Sequence, residues 1–275
     1  MEYNERDIKL NNGRYIPCIG FGTSLLTGDE CTEVIRKAFD VGYRHIDTAS
    51  VYENEIEIGK AIKQSKLDRK ELFITSKVWK DSMGYENTLK SFEKSLKNLD
   101  LEYIDLFLIH WPNNKDEQLT IDTWRALEKL YKEGKVKSIG VSNFLKHHLE
   151  NLLKNCEIIP AVDQIEFHPG LMRKETIDFC NEKNIVVEAW APLGKGKMLN
   201  NTTLMSIAEK YNISTAQLCL KWCLQNNVIP LPKSENEERM KQNLDLFHFK
   251  ITDEDMNIIN NMDFFAGSDM DPNKS

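Results

Sequence analysis

The sequence predicts an α/β fold of the (β/α)8 TIM-barrel class, held in a single domain over residues 1–275 and preceded by a short N-terminal β-hairpin. Three observations predict it. The runs YIDLFLIHW (103–111) and NIVVEAW (184–190) are almost continuously apolar, as parallel strands covered on both faces must be. Amphipathic helical patterns lie between such runs. Polar or aromatic residues at successive strand ends, Asp47, Lys77, His110, Asn143, Gln164, Trp190 and Lys233, are spaced by 30, 33, 33, 21, 26 and 43 positions, one strand and helix per interval. With CIGFG (18–22) as the first strand the count reaches eight, which selects a closed barrel over an open sheet.

In chain order, IKLNNGRYIP (8–17) reads as a hairpin turned at Asn12-Gly13, placed to cover the bottom of the barrel. After CIGFG, apolar Cys31, Val34, Ile35, Ala38 and Phe39 follow helical spacing, and Gly42 stands where a helix end accepts positive φ. The chain then turns into a strand ending on Asp47, and Glu53 and Glu55 beyond it favour the positive N-terminus of the next helix. A later helix is predicted to be capped by Thr120, to carry Trp124, Leu127, Leu130 and Tyr131 on one side, and to end at Gly134 before the strand VKSIGVSNF (136–144). AQLCLKWCLQ (216–225) reads as a helix burying Cys219 and Cys223, and the polar tail AGSDMDPNKS (266–275) is expected to be loose.

Composition narrows the function classes. Hydrophobic residues are 41% and charged residues 29%, a balance suited to a globular chain with a large core. No apolar run approaches the roughly 18 residues of a membrane span. The N-terminus is polar and mixed in charge, so a cytoplasmic location is expected. Six cysteines without a framework read as reduced thiols, and no metal site is expected. A net charge of -7 argues against nucleic acid or anionic membrane as partners.

In a barrel the strand C-termini surround one mouth, so distant residues converge there. Taken singly, Asp47 reads as a helix cap, Tyr52 as packing, Lys77 as a surface charge and His110 as a satisfied core histidine. Together, an acid, a tyrosine, a lysine and a histidine at one mouth form a proton-transfer set. The Lys77 ammonium is expected to stabilise the phenolate and bring the Tyr52 pKa below its ordinary value of about 10. Asp47 would hold Lys77 charged, and His110 would orient a carbonyl oxygen.

GFGT (20–23), GYRHIDTASVYENEIEIG (42–59), ITSKVW (74–79), LFLIHWP (106–112), IGVSNF (139–144), QIEFHP (164–169), EAWAPLG (188–194) and IPLPKS (229–234) together resemble the aldo-keto reductases, in particular their shorter bacterial branch related to 2,5-diketo-D-gluconate reductases. The resemblance implies reduction of an aldehyde or ketone by hydride from a nicotinamide cofactor, without a metal. It implies Tyr52 as proton donor, Lys77 and Asp47 as its tuning pair, and His110 as carbonyl orienter. Gly22 and Thr23 resemble the turn beside the cofactor, which Asp47 also approaches. Ser142, Asn143 and Gln164 match residues that bind the carboxamide, Trp190 matches the ring stacked on the nicotinamide, and Ala191, Leu193 and Gly194 lie in the loop along the pyrophosphate.

Lys233, Ser234 and Arg239 resemble a clamp on the adenosine 2'-phosphate, which implies NADPH over NADH. Asn243 matches an adenine contact. Glu235 and Gln242 depart from the family pattern, and Glu235 would repel a phosphate unless it turns to solvent. Ser24 stands where many relatives have a pocket tryptophan, leaving Trp79 and Trp111 as aromatic walls of an open pocket. No GxGxxG follows a strand. The expected partner is a small-molecule carbonyl, and the expected state a monomer. Two other classes compete: a cofactor-sensing binding module with little turnover, and Schiff-base chemistry on Lys77, which a neighbouring Asp47 would oppose by keeping the amine charged.

Overall fold

A computed structural model describes residues 7–264, 267–268 and 270–275. Eight strands form one sheet in chain order: β3 (Phe21–Gly22), β4 (His45–Asp47), β5 (Phe73–Val78), β6 (Ile104–Ile109), β7 (Val136–Ser142), β8 (Val162–Glu166), β9 (Val186–Trp190) and β10 (Val228–Pro230). All neighbouring pairs are parallel. The two edges meet through Gly20 N–H to Pro230 O and Gly22 N–H to Pro232 O, both 3.1 Å, so the sheet closes into the expected barrel.

Helices follow the strands: α1 (Gly28–Val41), α2 (Glu55–Ser65), α3 (Tyr85–Leu99), α4 (Glu117–Lys132), α5 (Lys146–Leu153) and α6 (Lys174–Glu182). Two helices, α7 (Thr202–Lys210) and α8 (Thr215–Gln225), precede β10, and α9 (Glu237–Leu244) and α10 (Asp253–Asn260) follow it. The apolar stripe of α1 is buried, and the helix stops because Gly42, at φ 117°, turns its N–H back to Ala38 O and Phe39 O. Thr120 does not cap α4 as expected. Asp116 does, its Oδ1 accepting Leu119 N–H at 3.1 Å, while Thr120 sits inside the helix and takes Asn113 N–H on its hydroxyl. Cys219 and Cys223 are buried in α8, and all six cysteines are free thiols.

Period-two alternation sorts each strand between two cores. Ile46, Ile74, Phe107, Ile109, Ile139, Val141 and Val187 face the helices. Phe73, Leu106, Leu108, Val162 and Ile229 face inward and meet Leu10 and Ile16 of the hairpin. Burying each such side chain contributes about 1.5–3 kcal/mol. That hairpin, β1 (Ile8–Lys9) paired antiparallel to β2 (Tyr15–Ile16), turns at Asn12-Gly13 as expected. Asn11 Nδ2 donates to Pro160 O at 2.8 Å and Asn12 Nδ2 to Lys137 O at 3.1 Å, fastening it across the N-terminal ends of the strands.

Further up the same inner face the side chains become polar: His45 and Thr75, then Asp47, Lys77, Gln164 and Glu188. The barrel is therefore apolar at its sealed end and charged at its mouth.

The tail is not loose where it is described; Ala266 and Asp269 lie outside the described residues. Ser268 donates from N and Oγ to the two carboxylate oxygens of Glu166, each at 2.8 Å. Ser275 Oγ donates to Pro112 O at 2.7 Å, and Asn114 Nδ2 donates to Pro272 O at 2.6 Å. Polarity, which suggested a free tail, is what docks it. Among the described residues no helix is long and apolar enough to cross a membrane.

Candidate active site

Asp47 ends β4, and Lys77 is the fifth residue of β5, its side chain wholly enclosed. Lys77 Nζ donates to Asp47 Oδ1 at 2.7 Å, to Asp47 Oδ2 at 2.8 Å and to Thr48 O at 2.8 Å. Burial alone would strip its charge, but the Asp47 carboxylate and then Tyr52 outweigh that and raise the lysine above its ordinary pKa. All three ammonium protons are engaged, so the amine has no lone pair for Schiff-base chemistry. The lysine is a buried charge rather than the surface charge its sequence position alone would suggest.

Tyr52 is delivered by a single 3-10 turn, Ser50–Tyr52, that Glu53 ends at φ 56°. Two side chains brace that turn. Ser50 Oγ donates to Lys77 O at 3.0 Å. Asn54 accepts Thr48 Oγ1 at 2.6 Å and donates to Thr23 O at 2.9 Å and Leu26 O at 3.0 Å, tying together the loops after β3 and β4. The Tyr52 ring lies 5.3 Å from Lys77 Nζ and meets His110 edge-on at 5.7 Å.

The Tyr52 pKa is not depressed as the neighbouring ammonium alone would make it. Burial raises it most, Lys77 lowers it and Asp47 raises it again, leaving the phenol above its ordinary value and protonated. His110, just past β6, is sandwiched between Tyr52 and Trp79, whose ring is 5.0 Å away. Burial, then the charges of Lys77 and Lys80, hold it well below the usual histidine range, so the ring is neutral. Its buried Nδ1 has no hydrogen-bond partner among the described residues.

Lys80 Nζ bridges the two candidate walls, 5.9 Å from the Trp79 ring and 5.0 Å from the Trp111 ring. Ser24 is exposed, and the next residue, Leu25, is 87% exposed at φ 69°.

On the far side, Trp190 Nε1 donates to Asn143 Oδ1 at 2.8 Å, and Asn143 Nδ2 donates to His110 O at 2.9 Å. Ser142 Oγ donates to Gln164 O at 2.8 Å. Gln164 Nε2 bridges Asp47 Oδ2 at 2.8 Å and Glu188 Oε2 at 2.9 Å. Thr23 Oγ1 donates to Asp47 O at 2.9 Å, and Gly22 is so close to β10 that a Cβ would lie 3.1 Å from Leu231 O. Asn143 at φ 63° and Ala191 at φ 49° hold left-handed backbone, a conformation that concentrates at functional loops. Leu193 and Gly194 lead into the irregular segment 194–200, where Lys195 and Gly196 also take positive φ.

Asp47, Lys77, His110, Asn143, Gln164 and Trp190 thus share one hydrogen-bonded and stacked cluster. Lys233 does not join it: three residues beyond β10, it is exposed and paired with Glu235 at 2.7 Å. Ser234 is buried beside it, Arg239 is exposed on the first turn of α9, and Asn243 is buried against the Tyr43 hydroxyl.

Sequence reasoning passed over His45, Asn54 and above all Glu188. Burial, and then the Asp47 carboxylate, push the Glu188 pKa up to about 8. Its signal was present: one acid in an otherwise apolar strand, two residues before Trp190 and so on the same inner face.

A family model described as "Aldo/keto reductase family" matches residues 18–263. Glyoxal reductase of Bacillus subtilis (strain 168) is 53% identical over 253 residues, covering 92% of this chain and 91% of its own. Among solved structures, a Gox0644 mutant in complex with NADPH superimposes with a TM-score of 0.93 at 40% identity, covering 99% of both chains. A Bombyx mori aldo-keto reductase in complex with NADP gives 0.86 at 34% identity, over 92% of this chain and 91% of that one.

Proposed function

The chain belongs to the aldo/keto reductase family, and from that premise we propose that it reduces aldehydes or ketones to alcohols with NADPH, Tyr52 giving the proton. The observation that carries the proposal is the packing of Tyr52 between the buried Lys77, which is bonded to both oxygens of Asp47 and lies 5.3 Å from the tyrosine ring, and His110, which meets that ring edge-on at 5.7 Å.

The reduced nicotinamide, when bound, supplies hydride for the carbonyl carbon. As negative charge develops on the carbonyl oxygen, the Tyr52 hydroxyl transfers its proton there, and the Lys77 ammonium stabilises the phenolate left behind. Asp47 keeps Lys77 charged and fixed. A neutral imidazole retains one N–H, and His110 uses it to orient the carbonyl oxygen without competing as an acid. Trp79 and Trp111 shield that side from water.

The residues at the rim suit an extended anionic dinucleotide. Exposed Lys195, Lys233 and Arg239 offer positive charge along it, and Ala191 to Gly196 offer left-handed backbone turns able to approach a pyrophosphate. Lys233, Ser234 and Arg239 would hold the 2'-phosphate, with Glu235 opposing them. Trp190 and Gln164 would take the nicotinamide ring and its carboxamide. A small, freely diffusing carbonyl is the substrate, and the chain works as a monomer in the cytoplasm.

Loss of nicotinamide absorbance with a panel of aldehydes, ketones and ketoacids, run with NADPH and with NADH, tests the reading. Consumption of NADPH by at least one carbonyl is expected. Tight cofactor binding with no consumption across the panel would instead make the chain a cofactor sensor.

A further inference from the structure

Inside the barrel sits an acid that the proton transfer at Tyr52 does not use. Glu188 is wholly buried in β9, in register with Gln164 of β8. Both protons of the Gln164 amide point inward, one to Asp47 Oδ2 at 2.8 Å and one to Glu188 Oε2 at 2.9 Å. The Gln164 Oε1 accepts no hydrogen bond among the described residues, so it is what the amide has left to offer a ligand.

The other oxygen of Glu188, Oε1, is buried without a hydrogen-bond partner among the described residues. It lies 3.6 Å from His45 Nε2, which engages Thr75 Oγ1 at 3.1 Å instead. A carboxylate oxygen enclosed with no partner is costly, so the carboxyl is held neutral. The ionisable groups that face it are Asp47 and His45 from β4 and Lys77 from β5, while Gln164 on β8 and Ile229 on β10 carry no charge. Burial and then Lys77 push His45 down to about 3, so it stays neutral. Asp47 and Lys77 balance one another, and ionisation of Glu188 would leave one unbalanced negative charge.

We propose that Glu188 is a positioning residue for this site: it clamps the Gln164 amide against Asp47 so that Oε1 faces the cofactor, and its own charge sets which redox form of the nicotinamide binds better. Neutral Glu188 leaves the mouth balanced and suits the uncharged reduced ring. Ionised Glu188 favours the cationic oxidised ring. The inference rests on nicotinamide binding as set out under Proposed function.

The test is a fluorescence titration of NADPH and NADP+ binding to wild type and Glu188→Gln between about pH 6 and about pH 9.5. In wild type the ratio of the NADPH Kd to the NADP+ Kd should rise about 10-fold as Glu188 ionises near its pKa of about 8. In Glu188→Gln the ratio should stay flat across the whole range. A flat wild-type ratio, or an equal rise in both proteins, overturns the inference, and the wild-type arm does so without any variant having to fold. Failure of both cofactors to bind wild type would sink the underlying reading and the inference together, an outcome distinct from tight binding with a flat ratio.

Discussion

Both carboxylate oxygens of Asp47 accept from Lys77 Nζ, at 2.7 and 2.8 Å, and neither side chain is more than 5% exposed. The pair is a buried charge couple whose partners come from adjacent strands. Removing one partner leaves the other enclosed and uncompensated. Asp47→Asn should therefore destabilise the fold by about 3–5 kcal/mol, read as the shift in a urea unfolding curve. A change within about 0.5 kcal/mol would mean that the couple is not closed as described.

Tyr52→Phe removes a hydroxyl and keeps the ring that packs edge-on against His110. Turnover should fall by about 100-fold or more, the share a positioned acid usually supplies, while cofactor affinity stays near wild type. Steady-state rates beside a fluorescence titration separate the two. An active Phe variant would refute the proton donor.

Stability should depend on pH through Glu188. An unfolded glutamate ionises near about 4.3, whereas the folded one holds its proton to about 8. Between those values the folded state binds the extra proton, so rising pH lowers stability, with no further loss above the folded pKa. Glu188→Gln lacks that loss. Its urea midpoint should exceed wild type at pH 8 by an amount on the order of a few kcal/mol in unfolding free energy, and the gap should narrow toward about pH 5. A gap that widens on acidification would contradict the sign.

The Lys233–Glu235 pair is half in solvent, where such contacts contribute about 0–1 kcal/mol. A dianionic phosphate can displace it, but must do so against Glu235. Glu235→Ala should tighten NADPH about threefold and leave NADH unchanged, and Arg239→Ala should weaken NADPH far more than NADH. Equal effects on both cofactors would remove the phosphate from this corner.

Much of the fold and most of the mouth were legible because both follow from periodicity. Apolar runs marked the parallel strands, and a regular interval put Asp47, Lys77, His110, Asn143, Gln164 and Trp190 where they meet. Lys233 fell outside because the same interval was extended past Pro230, where β10 has already ended. The pKa direction of Tyr52 is not legible in the sequence for a different reason: pair charges follow from neighbours in a motif, but desolvation depends on how tightly the whole mouth encloses the phenol. Thr120 lost the cap to Asp116 because Asn113 first folds the preceding loop, its Oδ1 accepting Lys115 N–H at 3.0 Å and Asp116 N–H at 2.9 Å. Glu188 was hidden by reading its strand for hydropathy alone rather than for which face the acid would take.

The hairpin that closes the apolar end has a consequence for exchange with solvent. Leu10 and Ile16 plug the barrel against Phe73, Leu106 and Leu108, making it a well rather than a pipe. The direct approach to Lys77 and Glu188 is then from the mouth, and a molecule lying across that opening covers it. Exchange of the Lys77 and Glu188 protons with solvent should therefore be slower with the opening occupied than with it free.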